Sequence, residues 1–489
     1  MAANEKFHDG AATRRWFLKA VAATAGAGVM GSRMVDAASA GPGRGRLKKT
    51  TTTTTTAPAP TTTTTSAPTT TTTTAPLAEP APSPTGGRVV EIAAATDGTD
   101  QTAVIQAQID AAPDGTAGDP TVIRFPVGES QGTYRVEGTL SLINRSHVVL
   151  EGPSPGDKAH LKRTQVSTAD PWQLHSNWHV EVYRSSDVVV RNIFVESYWY
   201  PGQTTALDAD GQPLATRYGA ENGVRAGFAV SPSSAAAERE IAFQVCGSAN
   251  VVVEDTRALN VRSYNCQVTM TSDGLPPVRS SNVTFRNMVA QYCGGWAAAV
   301  VSATGVLIDN VRSEKCGFGG IDLEPIGPLE EIHGVEIKNC RIEGNGIAFA
   351  ANGTNPVDDV YIHDCHVECH NSWPLVMSVD HFSPYRRRNW RVERVTHSTT
   401  SLCDNGNDDS GHPMQAAFFF RNMDDVSVRD CAPQIRGDVY ARYMAGVHFD
   451  GCGGALAVED NDLNNALVWG TGAVRASNGT GPVSVSGNH

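Results

Sequence analysis

One phrase recurs along this chain and restricts its fold more than any other feature. A turn residue is followed by alternating apolar positions and then, in most copies, by Asn or Asp. It reads DVVVRN (187–192), NVVVED (250–255), NVTFRN (282–287), GVLIDN (305–310), GVEIKN (334–339), DVYIHD (359–364), NWRVER (389–394), DVSVRD (425–430) and GVHFDG (446–451). From 283 onward the second position falls at 283, 306, 335, 360, 390, 426 and 447, so the intervals are 23, 29, 25, 30, 36 and 21 residues. Short β-runs at such irregular intervals, with no amphipathic helix between them, predict an all-β solenoid. Each coil buries its apolar side only by stacking on its neighbours. A sandwich would show regular hairpin turns, and an α/β fold would need helices between the strands.

The polar end of the phrase points the same way. Asn192, Asp255, Asn287, Asn310, Asn339, Asp364 and Asp430 lie four residues after the second position, and Cys340, Cys365, Cys431 and Cys452 lie five after it. Stacked coils about 4.8 Å apart would turn these into an Asn/Asp ladder beside a column of small buried thiols. The run HDCHVECH (363–370) offers zinc as a rival reading, but the thiol column already accounts for Cys365.

A second strand per coil lies between the phrases: CQVTMTSD (266–273), WAAAVVSA (296–303), GIDLEP (320–325), GIAFAAN (346–352), PLVMSVD (374–380) and AAFFFRN (416–422). Aligning inward residues sets Ile321 and Leu323 over Ile347 and Phe349, then over Leu375 and Met377. Asp322 and Glu324 then share the outward face beside Ala348 and Ala350, a shallow trough suited to a sugar ring. The same alignment stacks Asp273, Asn352, Asp380 and Arg421 in the following turn. Residues two apart on a strand are ~6.6 Å from each other, a separation that accommodates both retaining and inverting glycosidase geometries. Mutual repulsion would push one carboxyl toward the range of a general acid. His381 offers a proton donor or a sugar contact. In YRRRNWR (385–391), Arg386, Arg387 and Arg388 with Trp390 suggest a clamp for anionic sugars with an aromatic platform. DNGNDDSGH (404–412) supplies oxygen ligands suited to calcium, although no cofactor is firmly indicated.

The first 86 residues have a different character. TRRWFLK (13–19), an Ala/Gly-rich apolar run and an Ala-x-Ala ending at Ala40 resemble a twin-arginine export signal, so residues 1–40 are expected to be a signal peptide. The run is too short for a membrane span. Residues 41–86 form a Thr/Pro-rich linker that cannot bury apolar surface, an expected stalk for extracellular or cell-wall placement. Residues 87–489 make the body. Nine of the 39 Lys/Arg and three of the 51 Asp/Glu lie in the first 49 residues, leaving 30 basic against 48 acidic residues. A body this acidic argues against general nucleic-acid binding. Twin-arginine substrates fold before export, so the ten cysteines are expected to be reduced and buried.

Residues 91–152 carry DGTDQTAVIQAQIDAA, with apolar Val104, Ile105 and Ile109, followed by VIRFPVG, YRVEGTL and HVVLEG. This stretch resembles the N-terminal cap of the pectate-lyase superfamily. The resemblance implies a right-handed single-stranded parallel β-helix whose open end is closed by a short cap helix. The superfamily includes lyases, hydrolases, epimerases and depolymerases. GGIDLEP is similar to one coil of polygalacturonase-type hydrolases, but the paired Asp expected in the next coil is missing from NGIAFAAN. The expected function is a secreted polysaccharide-degrading enzyme acting on an acidic glycan. Asp322, Glu324 and Asp380 are its candidate catalytic residues, with hydrolysis favoured over elimination. The alternative is a non-catalytic surface rod that binds glycans or builds the envelope.

Overall fold

The computed structural model describes residues 87–165, 175, 178–197, 240–261, 263–314, 316, 319–343, 347–351, 353–368, 375–379, 385–398, 416–433, 445–463 and 473–489. The expected signal peptide and linker, together with Asn352, Asp380, His381 and the 404–412 loop, lie outside them.

The strands form two sheets, one of 21 strands and one of 11, and the pairings between named strands are parallel. In the smaller sheet the neighbours follow chain order from Leu140–Ile143 to Val474–Ser477. That is the expected right-handed parallel β-helix, since crossovers between parallel strands of one sheet take that hand. The interior is continuous: Phe243, Cys266, Ala298, Ile321, Phe349, Val376 and Phe418 stack in one register column inside the core. Each large side chain in it contributes roughly 1.5–3 kcal/mol of burial.

The phrase repeats because both of its ends must turn. Asp187, Asn250, Asn282, Asp359, Asn389 and Asp425 open it, and Asn192, Asp255, Asn287, Asn310, Asn339, Asp364 and Asp430 close it, all with φ between 51° and 60°. Asn and Asp tolerate this left-handed region better than other residues with side chains. The amides also form ladders. Asn250 Nδ2 donates to Asp187 (3.0 Å), Asn282 to Asn250 (3.1 Å), Asn287 to Asp255 (3.1 Å) and Asn310 to Asn287 (2.9 Å).

The last phrase is corrected. GVHFDG contains the strand Val447–Asp450, which pairs with Phe418–Arg421 in the smaller sheet. The true successor of DVSVRD is ALAVED, with Leu456 in register with Val426, an interval of 30 residues. Cys452 therefore leaves the thiol column; its Sγ lies 3.4 Å from the Phe420 carbonyl. The register places Cys340, Cys365, Val395 and Cys431 in that column. All eight described cysteines are free and buried.

At the N-terminal end, helix Thr102–Ala111 buries Ile105 and Ile109, whereas Val104 is 45% exposed. Gln106 accepts from Ser141 N (2.8 Å) and donates to Ser141 O (3.0 Å), replacing the strand that the sheet edge lacks. Arg145 donates to the Ile109 and Ala112 carbonyls at 2.6 Å each, satisfying the helix C-terminus.

A charge ladder runs along the outside of the larger sheet. Glu91, Arg124, Glu151, Arg191, Glu254, Arg286, Asp309 and Lys338 occupy one register column with alternating sign. Glu151 bridges Arg124 and Arg191 at 2.7 Å each. A coil slipped by one strand would meet its own sign, so the ladder opposes misregistration. Arg191→Glu would set three glutamates side by side. It is expected to cost about 2 kcal/mol in urea unfolding at low salt and less at high salt.

Inside the coil, Glu240 holds a buried knot. Its Oε1 accepts from Arg163 Nη1 (3.2 Å), His179 Nε2 (3.0 Å) and Ser197 Oγ (2.5 Å), with Arg163, His179 and Glu240 at most 2% exposed.

Candidate functional site

The smaller sheet carries one outward-facing register column along its length: Ser141, Glu181, Gln244, Gln267, Ala299, Asp322, Ala350, Met377, Phe419 and His448. Each alternates with core residues on its own strand. Ile321 and Leu323 are fully buried in the main core, so Asp322 between them points outward, and Glu324 has the same parity just past the strand. Glu324 N continues the ladder to the Val300 carbonyl at 2.8 Å.

Small residues do flank Asp322, although they are not the pair that the alignment indicated. Ala299 and Ala350 are its register neighbours; Ala348 belongs to the core. Phe349, not Ile347, stands over Ile321, and in the next coil Val376 and Ser378 turn inward while Met377 turns outward. The face is also less open than expected, with Asp322 2% and Glu324 6% exposed. On the C-terminal side of Asp322, Ala350, Met377 and Phe419 pack with Trp296 and Ile347 into an apolar cluster separate from the main core.

Of the expected turn column, Asp273 and Arg421 are the described members, and the register separates them. Arg421 registers with Val379 and Asp450, and its Nε pairs with Asp450 at 2.7 Å. Asp273 follows a strand five positions away along the sheet and binds Arg184 bidentately at 2.8 and 2.9 Å. That pairing pulls the Asp273 carboxyl far below the usual carboxylate range.

The arginine clamp also separates into structural parts. Arg386 binds Asp424 (3.0 Å) and the Met423 and Gly451 carbonyls (3.0 Å each). Arg387 is 1% exposed and donates to the Ala351 (2.8 Å) and Gly353 (3.0 Å) carbonyls and to Ser378 Oγ (3.2 Å). Trp390 is no sugar platform: it is 1% exposed, registers with Val360 and Val426, and donates Nε1–H to the Val357 carbonyl at 2.9 Å. Trp390→Ala is expected to lower stability by about 3–5 kcal/mol in denaturant unfolding, a core-cavity effect. Arg386 and Arg388 both stay on the surface, with side chains 40% and 69% exposed, and Arg388 lies 3.5 Å from Asp358.

No group of three or more His, Cys, Asp or Glu side chains is placed to hold a metal among the described residues. In the zinc-like run, Cys365 is in the core column, His363 contacts Glu336 (3.1 Å) and Asp364 (2.6 Å), and His366 contacts Thr396 and Ser398.

A polar constellation at the N-terminal half of the same column was not anticipated. Glu181 is fully buried, accepts from Ser141 Oγ at 2.9 Å and lies 2.7 Å from His175 Nδ1. Gln244 is its register neighbour, and Gln267 follows. Burial and the adjacent Asp273 carboxylate push the Tyr183 phenol up, and burial pushes the Cys246 thiol up. The sequence signal was present: VEV (180–182), FQV (243–245) and CQV (266–268) share the apolar–polar–apolar pattern of IDL (321–323).

No family model matches the sequence, and no curated protein matches it. Solved structures do resemble the chain. An exopolygalacturonase of family 28 from Yersinia enterocolitica is 14% identical, with 82% of this chain and 78% of that one covered at a TM-score of 0.39. The A-module of a mannuronan C-5 epimerase from Azotobacter vinelandii is 13% identical, covering 81% and 96% at 0.43. An alginate lyase from a Paenibacillus species is 10% identical, covering 81% and 99% at 0.42. The likeness is one of fold. The chemistry has to be argued from this chain's own residues.

Proposed function

We propose that the chain is a polysaccharide-degrading enzyme that binds its glycan along the outer face of the smaller sheet, with Asp322 and Glu324 as the carboxylate pair. The observation that carries this reading is the outward column. An acid sits there between two alanines, with amides on one side and the apolar Met377 and Phe419 on the other. Sugars present hydroxyl edges and apolar ring faces, and a surface that changes from carboxylate and amide to aromatic suits both. Two carboxylates suit hydrolysis, in which one protonates the leaving oxygen and the other activates water or attacks the anomeric carbon. Arg386, Arg387 and Arg421 are bound within the chain and Arg388 lies on the larger sheet beside Asp358, so the acidic-glycan preference is not carried by the face that holds Asp322. We also read residues 1–40 as an export signal and 41–86 as a stalk that places the body outside the cell.

The test is incubation of the full-length protein with neutral and acidic polysaccharides, following new reducing ends and unsaturated uronate absorbance together. Reducing ends alone mark a hydrolase, and both signals rising mark a lyase. Neither signal across a broad panel favours the non-catalytic rod.

A further inference from the structure

Among the described residues, four of the eight exposed large apolar side chains fall on loops that leave the smaller sheet at the Glu324 end of its strands. Leu275 (60% exposed) and Val278 (40%) lie between strands Tyr264–Thr269 and Ser280–Gln291. Leu329 (58%) lies between Gly319–Leu323 and Ile332–Lys338, and Tyr385 (56%) between Val376–Val379 and Arg387–Glu393. In the smaller sheet these are the first, third and fifth of five consecutive strands. On the two coils between them the chain stays low: Val301 and Ser302 are buried, and residues 353–356 are half-buried. The three coils that carry apolar tips are therefore spaced by about 10 Å along the solenoid. Glu324 opens the middle loop.

The loops are braced. Glu330 accepts from Ile326 N (2.7 Å) and Gly327 N (2.6 Å), and Thr354 N donates to the Pro325 carbonyl (3.1 Å). Arg279 reaches across the low coil to the Leu329 carbonyl (3.3 Å) and Glu331 (2.9 Å), and Arg184 holds the Pro276 carbonyl (3.2 Å). Arg386, beside Tyr385, is tied to Asp424 and the Gly451 carbonyl at 3.0 Å each. Charged side chains of these loops are thus bound within the chain while leucine and tyrosine stand in water. A single exposed leucine needs no explanation, but apolar tips recurring on alternate coils, each on a braced loop, do. Bracing also lowers the ordering cost for a ligand that lies across them.

We propose that Leu275, Leu329 and Tyr385 form a rail that binds a glycan shaped as a flat, extended ribbon running along the solenoid axis. This rests on the glycan reading above and deepens it by naming the shape of the chain. A pyranose in an extended chain is about as long as one inter-strand spacing, and in a two-fold ribbon every second ring turns the same apolar face to the same side. Tips on every second coil match that repeat, and the middle tip belongs to the coil that carries Asp322 and Glu324. A coiled glycan turns its ring faces progressively away and meets one tip at a time.

The experiment compares cellohexaose, a flat ribbon, with maltohexaose, a coiled chain of the same glucose units, by calorimetric titration of the full-length protein. The proposal expects cellohexaose to bind at least tenfold more tightly than maltohexaose. Leu275→Ser and Tyr385→Ala should each weaken cellohexaose at least threefold with Tm unchanged, because each side chain is more than half exposed. No binding of cellohexaose, equal binding of the two hexamers, or tip variants that bind like wild type would each overturn the proposal. Leu329→Ser that turns a dimer into a monomer without altering sugar affinity would also overturn it, assigning the row to a contact between copies. If cellohexaose binds through the tips but no polysaccharide is cleaved, the enzyme reading fails and the rail stands. If cleavage depends on Asp322 but the tip variants leave KM untouched, the rail fails and the enzyme reading stands.

Discussion

Replacing Asp322 with Asn and Glu324 with Gln is expected to lower kcat on the responsive polysaccharide by at least about a hundredfold for each change, with little change in unfolding midpoint. Both substitutions keep the side-chain shape and abolish ionisation, exchanging one acceptor oxygen for an amide donor. Ile321 and Leu323, which fix the strand against the core, are untouched. If the pair acts as one unit, the double variant should be scarcely worse than the poorer single variant. Retained turnover in the double variant would move the chemistry elsewhere on the sheet. A protein that never turned over any glycan, yet bound one equally well with or without the carboxylates, would fit a rod.

The second large effect concerns the buried knot. Glu240→Gln should cost about 3–5 kcal/mol, because it leaves Arg163 charged and buried without its carboxylate. A pH dependence follows from the same residues. Burial, then the Arg163 charge, lowers His179 to about 4 from 6.5. Burial alone would raise Glu240, but its hydrogen bond to His179 and the neighbouring charges bring it down to about 2 from 4.5. Both groups hold fewer protons folded than unfolded, so each contributes stability that is complete above its unfolded value and lost on acidification. For His179 the loss runs from pH 6.5 toward 4, and for Glu240 from 4.5 toward 2. Urea midpoints measured from pH 7 downward should fall through both windows in wild type, and Glu240→Gln should lack the lower step. A flat wild-type profile would contradict the assignment.

The fold was readable because its strictest demands fall on backbone turns. A left-handed residue at each end of the phrase restricts those positions largely to Asn, Asp and Gly, and stacked amides bond their neighbours, so the pattern survives in one dimension. The two sheets use the same strand chemistry, however. GVHFDG imitates the phrase because Gly451 turns with φ of 67° after an alternating run, and only the partner strand reveals which sheet it joins. Asp322 was readable from alternation alone. Its neighbours were not, since a shift of one residue in the next coil exchanges Met377 for Val376. The arginines misled for a further reason. In Arg386–Arg387–Arg388 adjacent side chains go to opposite faces, and Arg387 entered the core because the Ala351 and Gly353 carbonyls and Ser378 could accept its hydrogen bonds. Trp390 resembled a surface platform until its register with Val360 and Val426 placed it inside. Glu181 shows the converse case, since its triplet matched that of Asp322 but no repeated turn pointed to it.

Hydrogen exchange of the full-length protein, with and without the polysaccharide that it attacks, tests most directly where function resides. The account predicts slowed exchange in strands Ile241–Cys246, Tyr264–Thr269, Trp296–Val300 and Gly319–Leu323 of the smaller sheet. The charge-laddered strands Ser280–Gln291 and Ala303–Glu314 should remain unchanged. Protection confined to those last two strands would place the glycan on the opposite wall and contradict it.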